Sequence, residues 1–155
     1  MFMYEFIKEN LNRILLLLLA SLFLILWGRF IIREINLNNH TKELFTLKAR
    51  TNCAESFGWI VDPGSEMYET VNLPEEFDNV LIEYNKLQKM CGFDLNKYCG
   101  KTIKKYTYIA TNFPYKISET VYINLLIYED KLIGGDCMTQ SIHGFMLPLD
   151  RRFAP

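Results

Sequence analysis

Histidine is scarce in this chain: 155 residues contain two, His40 and His143. A Ser–His–Asp or Cys–His centre would have to use one of them. The four cysteines, Cys53, Cys91, Cys99 and Cys137, include no pair at the CxxC spacing of a zinc knuckle or a redox site. Charge of one sign is lacking too. Seventeen Lys and Arg balance eighteen Asp and Glu (17 against 18), which excludes a basic nucleic-acid surface and an acidic tail. Gly134-Gly135-Asp136 is not a phosphate loop, because no helix with a GxGxxG or GK[ST] pattern follows it. The carboxylate pairs Glu75-Glu76 and Glu129-Asp130 fall at element ends, where they serve capping and turn roles rather than glycoside chemistry. No cofactor is implied, and no nucleic-acid partner.

What is present begins with an uncharged run, ILLLLLASLFLILWG, from Ile14 to Gly28, extended past Arg29 by Phe30, Ile31 and Ile32. At ~1.5 Å per residue, residues 14–32 make a helix of ~28 Å, close to the hydrocarbon thickness of a bilayer. Its backbone polar groups are satisfied internally, as lipid requires. Trp27 suits the interface, and Arg13 and Arg29 can snorkel to the headgroups. The run is longer than a signal-peptide core and no Ala-x-Ala-like site follows, so an uncleaved, single-pass anchor is expected. The organisation predicted is a short tail over 1–13, a transmembrane helix over 14–32, a juxtamembrane hinge over 33–41 and a globular domain over 42–155. Lys8 and Arg13 precede the span; Arg29, Arg33, Lys42 and Lys48 follow it. That count favours a cytoplasmic domain, whereas a short N-terminus before an anchor is a common signal-anchor layout. We give the layout more weight and expect the domain outside the cell membrane.

Half of the residues are apolar, enough for the remainder to fold. Leu44, Leu47, Thr51 and Ala54 form one stripe of a helix of about four turns, capped by Asn39 or Thr41 and stopped at Gly58. Trp59 to Asp62 and Tyr68 to Leu73 read as two short strands around a Pro63-Gly64 turn. Pro74 is placed to open a second helix, with Glu75 and Glu76 in its first turn. Phe77, Val80, Leu81, Tyr84, Leu87 and Cys91 give that helix its apolar face, and Gly92 its stop. Asp94 caps one further turn. Thr102 to Thr111 alternates, with Tyr106, Tyr108 and Ala110 on one face, as do Val121 to Ile127. Glu129-Asp130 makes a hairpin into Leu132-Ile133, Gly134-Gly135 a bulge or close backbone approach, and His143 to Leu149 an edge strand demoted by Pro148. The fold class predicted is α+β: an N-terminal transmembrane helix, then two helices packed on one face of an antiparallel sheet.

The sharpest enzymatic constellation is Cys137 as nucleophile, His143 as base and Asp136 as orienter. The blander assignment, a buried thiol and a surface imidazole, is preferred. The same Cys137 and His143 with another cysteine have zinc-ligand types without a recognised spacing. Lys101, Lys104 and Lys105 interleave with Tyr106 and Tyr108, a pattern some single-strand binders use, but in a neutral protein it reads as a solvated strand start. The cysteines read as small buried apolar residues; export would permit a disulfide.

Five stretches carry a resemblance: FGWIVDP (57–63), LPEEFDNVLIEYNKLQKMCGFDL (73–95), YCGKTIKKYTYIATNFP (98–114), NLLIYEDKLIGGDC (124–137) and HGFM (143–146). In this order and spacing the chain resembles the family catalogued as domain of unknown function 4830, over roughly residues 48–147. The family's members come from Gram-positive anaerobes of the clostridial type and carry one N-terminal membrane helix. The resemblance therefore implies a bacterial envelope setting, but no activity and no catalytic residues. The chain departs from the family's usual look in the basic LPLDRRFAP after HGFM, and in Glu129-Asp130-Lys131 where an Asp-Gly turn is common. The function expected is a membrane-anchored structural or protein-interaction module with an unidentified protein partner at the edge near residues 143–149. The alternatives are a small enzyme or metal site on Cys137, His143 and Asp136, and a ligand sensor using Trp59, Tyr106, Tyr108, Tyr122 and Tyr128.

Overall fold

A computed structural model of the chain describes residues 13, 17–21, 23–28, 44, 46–115, 117–142 and 144–154. The chain divides into two units, Met1–Asn39 and His40–Pro155. In the first, residues 17–21 and 23–28 are helical, and Leu17, Leu18, Leu24 and Trp27 are exposed. Among the described residues no helix is long and apolar enough to cross a membrane. The span expected over 14–32 lies partly outside the described residues, the tail almost wholly and the hinge wholly so.

In the second unit, two glycines end the helices as their neighbours require. Helix α1, Leu47–Ser56, is capped by Thr46, whose hydroxyl accepts from the Ala49 N–H. It stops at Gly58, φ +90°, where Gly58 and Trp59 donate to the Glu55 and Ala54 carbonyls, the paired bonds of a Schellman motif. The expected caps Asn39 and Thr41 lie outside the described residues. The helix starts later than the sequence suggests because Leu44 is occupied elsewhere, its N–H donating to the Asp130 carbonyl at 2.8 Å. The buried positions are consequently Arg50, Cys53 and Ala54, and Leu47 is exposed.

The two short strands expected before the second helix are one strand, β1, Val61–Asn72. Its register with β2, Thr102–Ala110, shifts between Asp62 and Met67. Pro63 has no N–H for the ladder, so the chain bulges outward and is closed locally. Asp62 accepts from the Gly64 N–H, the Ser65 hydroxyl donates to the Asp62 carbonyl, and the same hydroxyl accepts the Ile109 N–H. Pro74 does not open helix α2, which runs Asn79–Met90 from an Asp78 cap. Leu73 is still tied to the Gly100–Lys101 backbone through both its N–H and its carbonyl, and a helix cannot begin until those bonds are left behind. Gly92, φ +85°, ends α2 in a second Schellman motif, with Phe93 donating to the Gln88 carbonyl.

Strands β3, Val121–Tyr128, β4, Lys131–Thr139, and β5, Met146–Pro148, complete an antiparallel sheet in the order β1-β2-β3-β4-β5. Glu129 and Asp130 both adopt positive φ, 46° and 60°, the conformation of a tight I′ hairpin. The helices do not share one face of this sheet, contrary to the expectation from sequence. Tyr108, Ile123, Leu125 and Cys137 form one core with Cys53 and Ala54 of α1. The alternate positions Ile103 and Leu126 form another, against which Tyr84 of α2 packs. The reason is visible in β3, where every residue from Ile123 to Ile127 is buried. A strand apolar on both sides needs cover on both.

Candidate functional site

Directly opposed on the three central strands, on the α2 side, stand Thr107, Asn124 and Asp136. Their hydrogen bonds form a directed chain. The Thr107 hydroxyl donates to Asn124 Oδ1 at 2.6 Å, and Asn124 Nδ2 donates to Asp136 Oδ1 at 2.7 Å. Tyr84 of α2 donates its hydroxyl to Asp136 Oδ2 at 2.6 Å. Asn124 and Asp136 are each 2% exposed. Gly135 permits this spacing, since a Cβ there would lie 2.5 Å from the Asn124 carbonyl oxygen. The Gly135 N–H donates to Gln88 Oε1, which holds α2 against β4.

Burial pushes the Asp136 carboxyl above its ordinary range, while Tyr84, Asn124 and Lys105 pull it back in part. The Tyr84 hydroxyl is held well above its own range by burial and by the neighbouring carboxylate, so it remains the donor. The raised carboxyl has a definite linkage sign. Asp136 binds its proton more tightly folded than unfolded, so its contribution to stability is full below the unfolded value of about 4 and is lost as pH rises through the folded one. Urea midpoints of wild type and Asp136→Asn, followed upward from about pH 4, should therefore show the wild type losing ground to the variant. Parallel curves would refute the assignment.

Between α2 and this face of the sheet lies a groove of about 620 Å³, walled by Val71, Leu73, Val80, Leu87, Ile103, Leu126, Met138 and Met146, with Tyr84, Asn124 and Asp136 at its polar base. Val80 and Met146 are exposed at its rim. Two charged side chains also line it. Lys105 pairs with Glu69 at 2.8 Å, and Glu83 with Lys86 at 2.6 Å.

The residues singled out in the sequence are distributed differently. Asp136 and Cys137 are consecutive in β4 and point to opposite faces. Cys137 is fully buried in the α1-side core, where burial pushes its thiol up to about 12, a value that suppresses the thiolate. His143 lies outside the described residues, as does His40. Among the described residues no three His, Cys, Asp or Glu side chains are grouped to hold a metal. All four thiols are free, with Cys53 and Cys137 buried. The aromatic set does not form one surface. Trp59 and Tyr108 are fully buried in the α1-side core, while Tyr122 and Tyr128 occupy alternate positions facing the other way.

The model of the family described as Domain of unknown function (DUF4830) matches residues 54–137, more than half of the chain. The chain belongs to this family. The matched span of this DUF4830 protein runs from the last turn of α1 into β4 and includes Thr107, Asn124, Asp136 and Tyr84. Met138 and Met146 fall outside it. No curated protein and no solved structure matches the chain.

Proposed function

We propose that this DUF4830 protein is a membrane-anchored binding module of a bacterial envelope, carrying an extracytoplasmic domain whose groove takes a small apolar ligand. The observation that carries the reading is the groove itself. Its volume falls in the range of about 300–1,000 Å³ typical of small-molecule sites, and apolar walls with a few convergent polar groups are their usual lining. A partner strand at the β5 edge is the weaker reading, because β5 is three residues long and ends in Pro148. The enzymatic alternative on Cys137, His143 and Asp136 lacks support from the two members described, which face apart.

Anchoring is supported by the uncharged run from Ile14 to Gly28. Leu18→Arg with Leu24→Arg would add ~2.5–3.5 kcal/mol per residue to insertion. The wild-type chain should stay in the membrane pellet after an alkaline wash and the double variant should leave it; equal partitioning would remove the anchor from this reading.

The groove is tested with the full chain in nanodiscs of zwitterionic lipid, using n-octanol as a neutral apolar probe. Saturation of a site raises stability by RT ln(1 + [L]/Kd), about 2.7 kcal/mol at a hundredfold excess over Kd, so the melting temperature should climb by roughly 10 °C. Met146→Trp fills the groove from an exposed position and should abolish the rise. Equal behaviour of the two chains would overturn the assignment.

A further inference from the structure

The ligand class follows from the charges around the groove, and the argument rests on the groove reading above. Three charged residues line it. Lys105 is held by Glu69 and Glu83 by Lys86, which leaves Asp136. Its two oxygens accept from neutral donors only, the Tyr84 hydroxyl and the Asn124 amide. Among the described residues no cation lies within ion-pair distance of it. A carboxylate offers about four acceptor positions, and two are in use. The Thr107 hydroxyl fixes which way the Asn124 amide faces, so the carboxylate is held in place with acceptor capacity to spare.

We propose that the groove binds an organic cation, a protonated amine on an aliphatic or aromatic body, with the ammonium on Asp136 and the body along the apolar walls. A buried charge is costly unless it is paired and hydrogen-bonded, and an ammonium supplies both the charge and the donors, through bonds roughly twice as strong as neutral ones. A fatty acid is disfavoured. Its head would meet Asp136, and Lys105, the one positive group among the described lining residues, is already engaged by Glu69. A wholly neutral ligand would fill the volume but leave the carboxylate with only Lys105, beyond ion-pair distance, as a countercharge.

The test compares one tail with three heads: n-octylammonium, n-octanol and n-octanoate, added to the full chain in zwitterionic nanodiscs, with melting temperature as readout. Met146→Trp in identical discs accounts for partitioning into lipid. Octylammonium should bind at least tenfold tighter than octanol and octanoate. Asp136→Asn should weaken octylammonium at least tenfold and remove its advantage over octanol. Octanoate matching octylammonium, or octylammonium binding that survives Asp136→Asn, would overturn the cation assignment. Octylammonium and octanol binding alike would overturn it as well while leaving the groove a binding site. If no head shifts wild type more than Met146→Trp, both this inference and the groove reading fall. Should Asp136→Asn not fold, the ranking of heads on the wild-type chain still decides.

Discussion

Trp59→Ala is expected to leave the domain unfolded or nearly so. The indole is fully buried at the end of α1. Its Nε1 donates to the Leu149 carbonyl at 2.6 Å, and its ring lies parallel to Phe113, 6.2 Å between centroids. Phe113 stacks in turn on Phe145, so one side chain joins the helix end, the β2–β3 connection and the chain after β4. Truncating a buried Trp to Ala costs about 3–5 kcal/mol, and the orphaned Leu149 carbonyl adds about 1–3 kcal/mol. Against a total stability of about 5–15 kcal/mol, that sum consumes most of what a domain of this size has. Trp59→Phe keeps a ring and loses only the donor, so it should retain the fold with a lower midpoint. Urea titration followed by circular dichroism separates the three. A Trp59→Ala chain as stable as Trp59→Phe would show that the ring's volume matters little here.

The second large effect is expected at Arg50. Its guanidinium sits beneath the β1 bulge, 4.0 Å from the Tyr106 ring centroid. It donates to Glu66 through Nε and Nη2, to the Tyr108 hydroxyl at 3.0 Å and to the Leu44 carbonyl at 3.0 Å. The Tyr108 hydroxyl donates to Glu66 as well. Burial works against the charge on Arg50, but Glu66 and Tyr108 outweigh it and hold the group above its ordinary pKa. Removing one partner of a buried pair costs roughly 3–5 kcal/mol, because the other charge is stranded. Glu66 is about a quarter exposed (26%), so Arg50→Met should fall at the low end of that range. Adding Glu66→Gln removes the stranded charge and should recover part of the loss. A double variant no better than the single would mean that Arg50 acts through packing on Tyr106 and not through its charge.

These two sites show what was legible in the sequence. Gly58, Gly92, the Asp94 turn and the Glu129-Asp130 hairpin are where local reading places them, because a left-handed stop or a tight turn is decided by residues a few positions apart. The alternation of β2 and β3 is equally local. The start of α1, the continuity of β1 and the start of α2 depend on bonds to distant chain: Leu44 to Asp130, Ser65 to Ile109, and Leu73 to Lys101. No window around those residues contains the partner. The partners that Asp136 finds at the polar base of the groove escape local reading for the same reason. Periodicity puts Tyr84 on an apolar face, while its hydroxyl belongs to a carboxylate 52 positions later. Asn124 did carry a signal, being a polar residue inside a run apolar on both faces. So do Asn85 and Gln88, polar residues buried in α2, whereas Val80, expected on its apolar face, is exposed.

Leu44 has a mechanical consequence. Both its backbone groups are taken, the N–H by Asp130 at the β3–β4 turn and the carbonyl by Arg50, and its side chain is 3% exposed. A pull on the chain from its N-terminal side therefore meets the fold at Leu44 before it reaches α1. The load passes into the sheet through the hairpin turn and into the helix through a guanidinium, so the first turn of α1 cannot be peeled away alone. Tension reaching Leu44 meets a clamp, and the domain takes it up as one body.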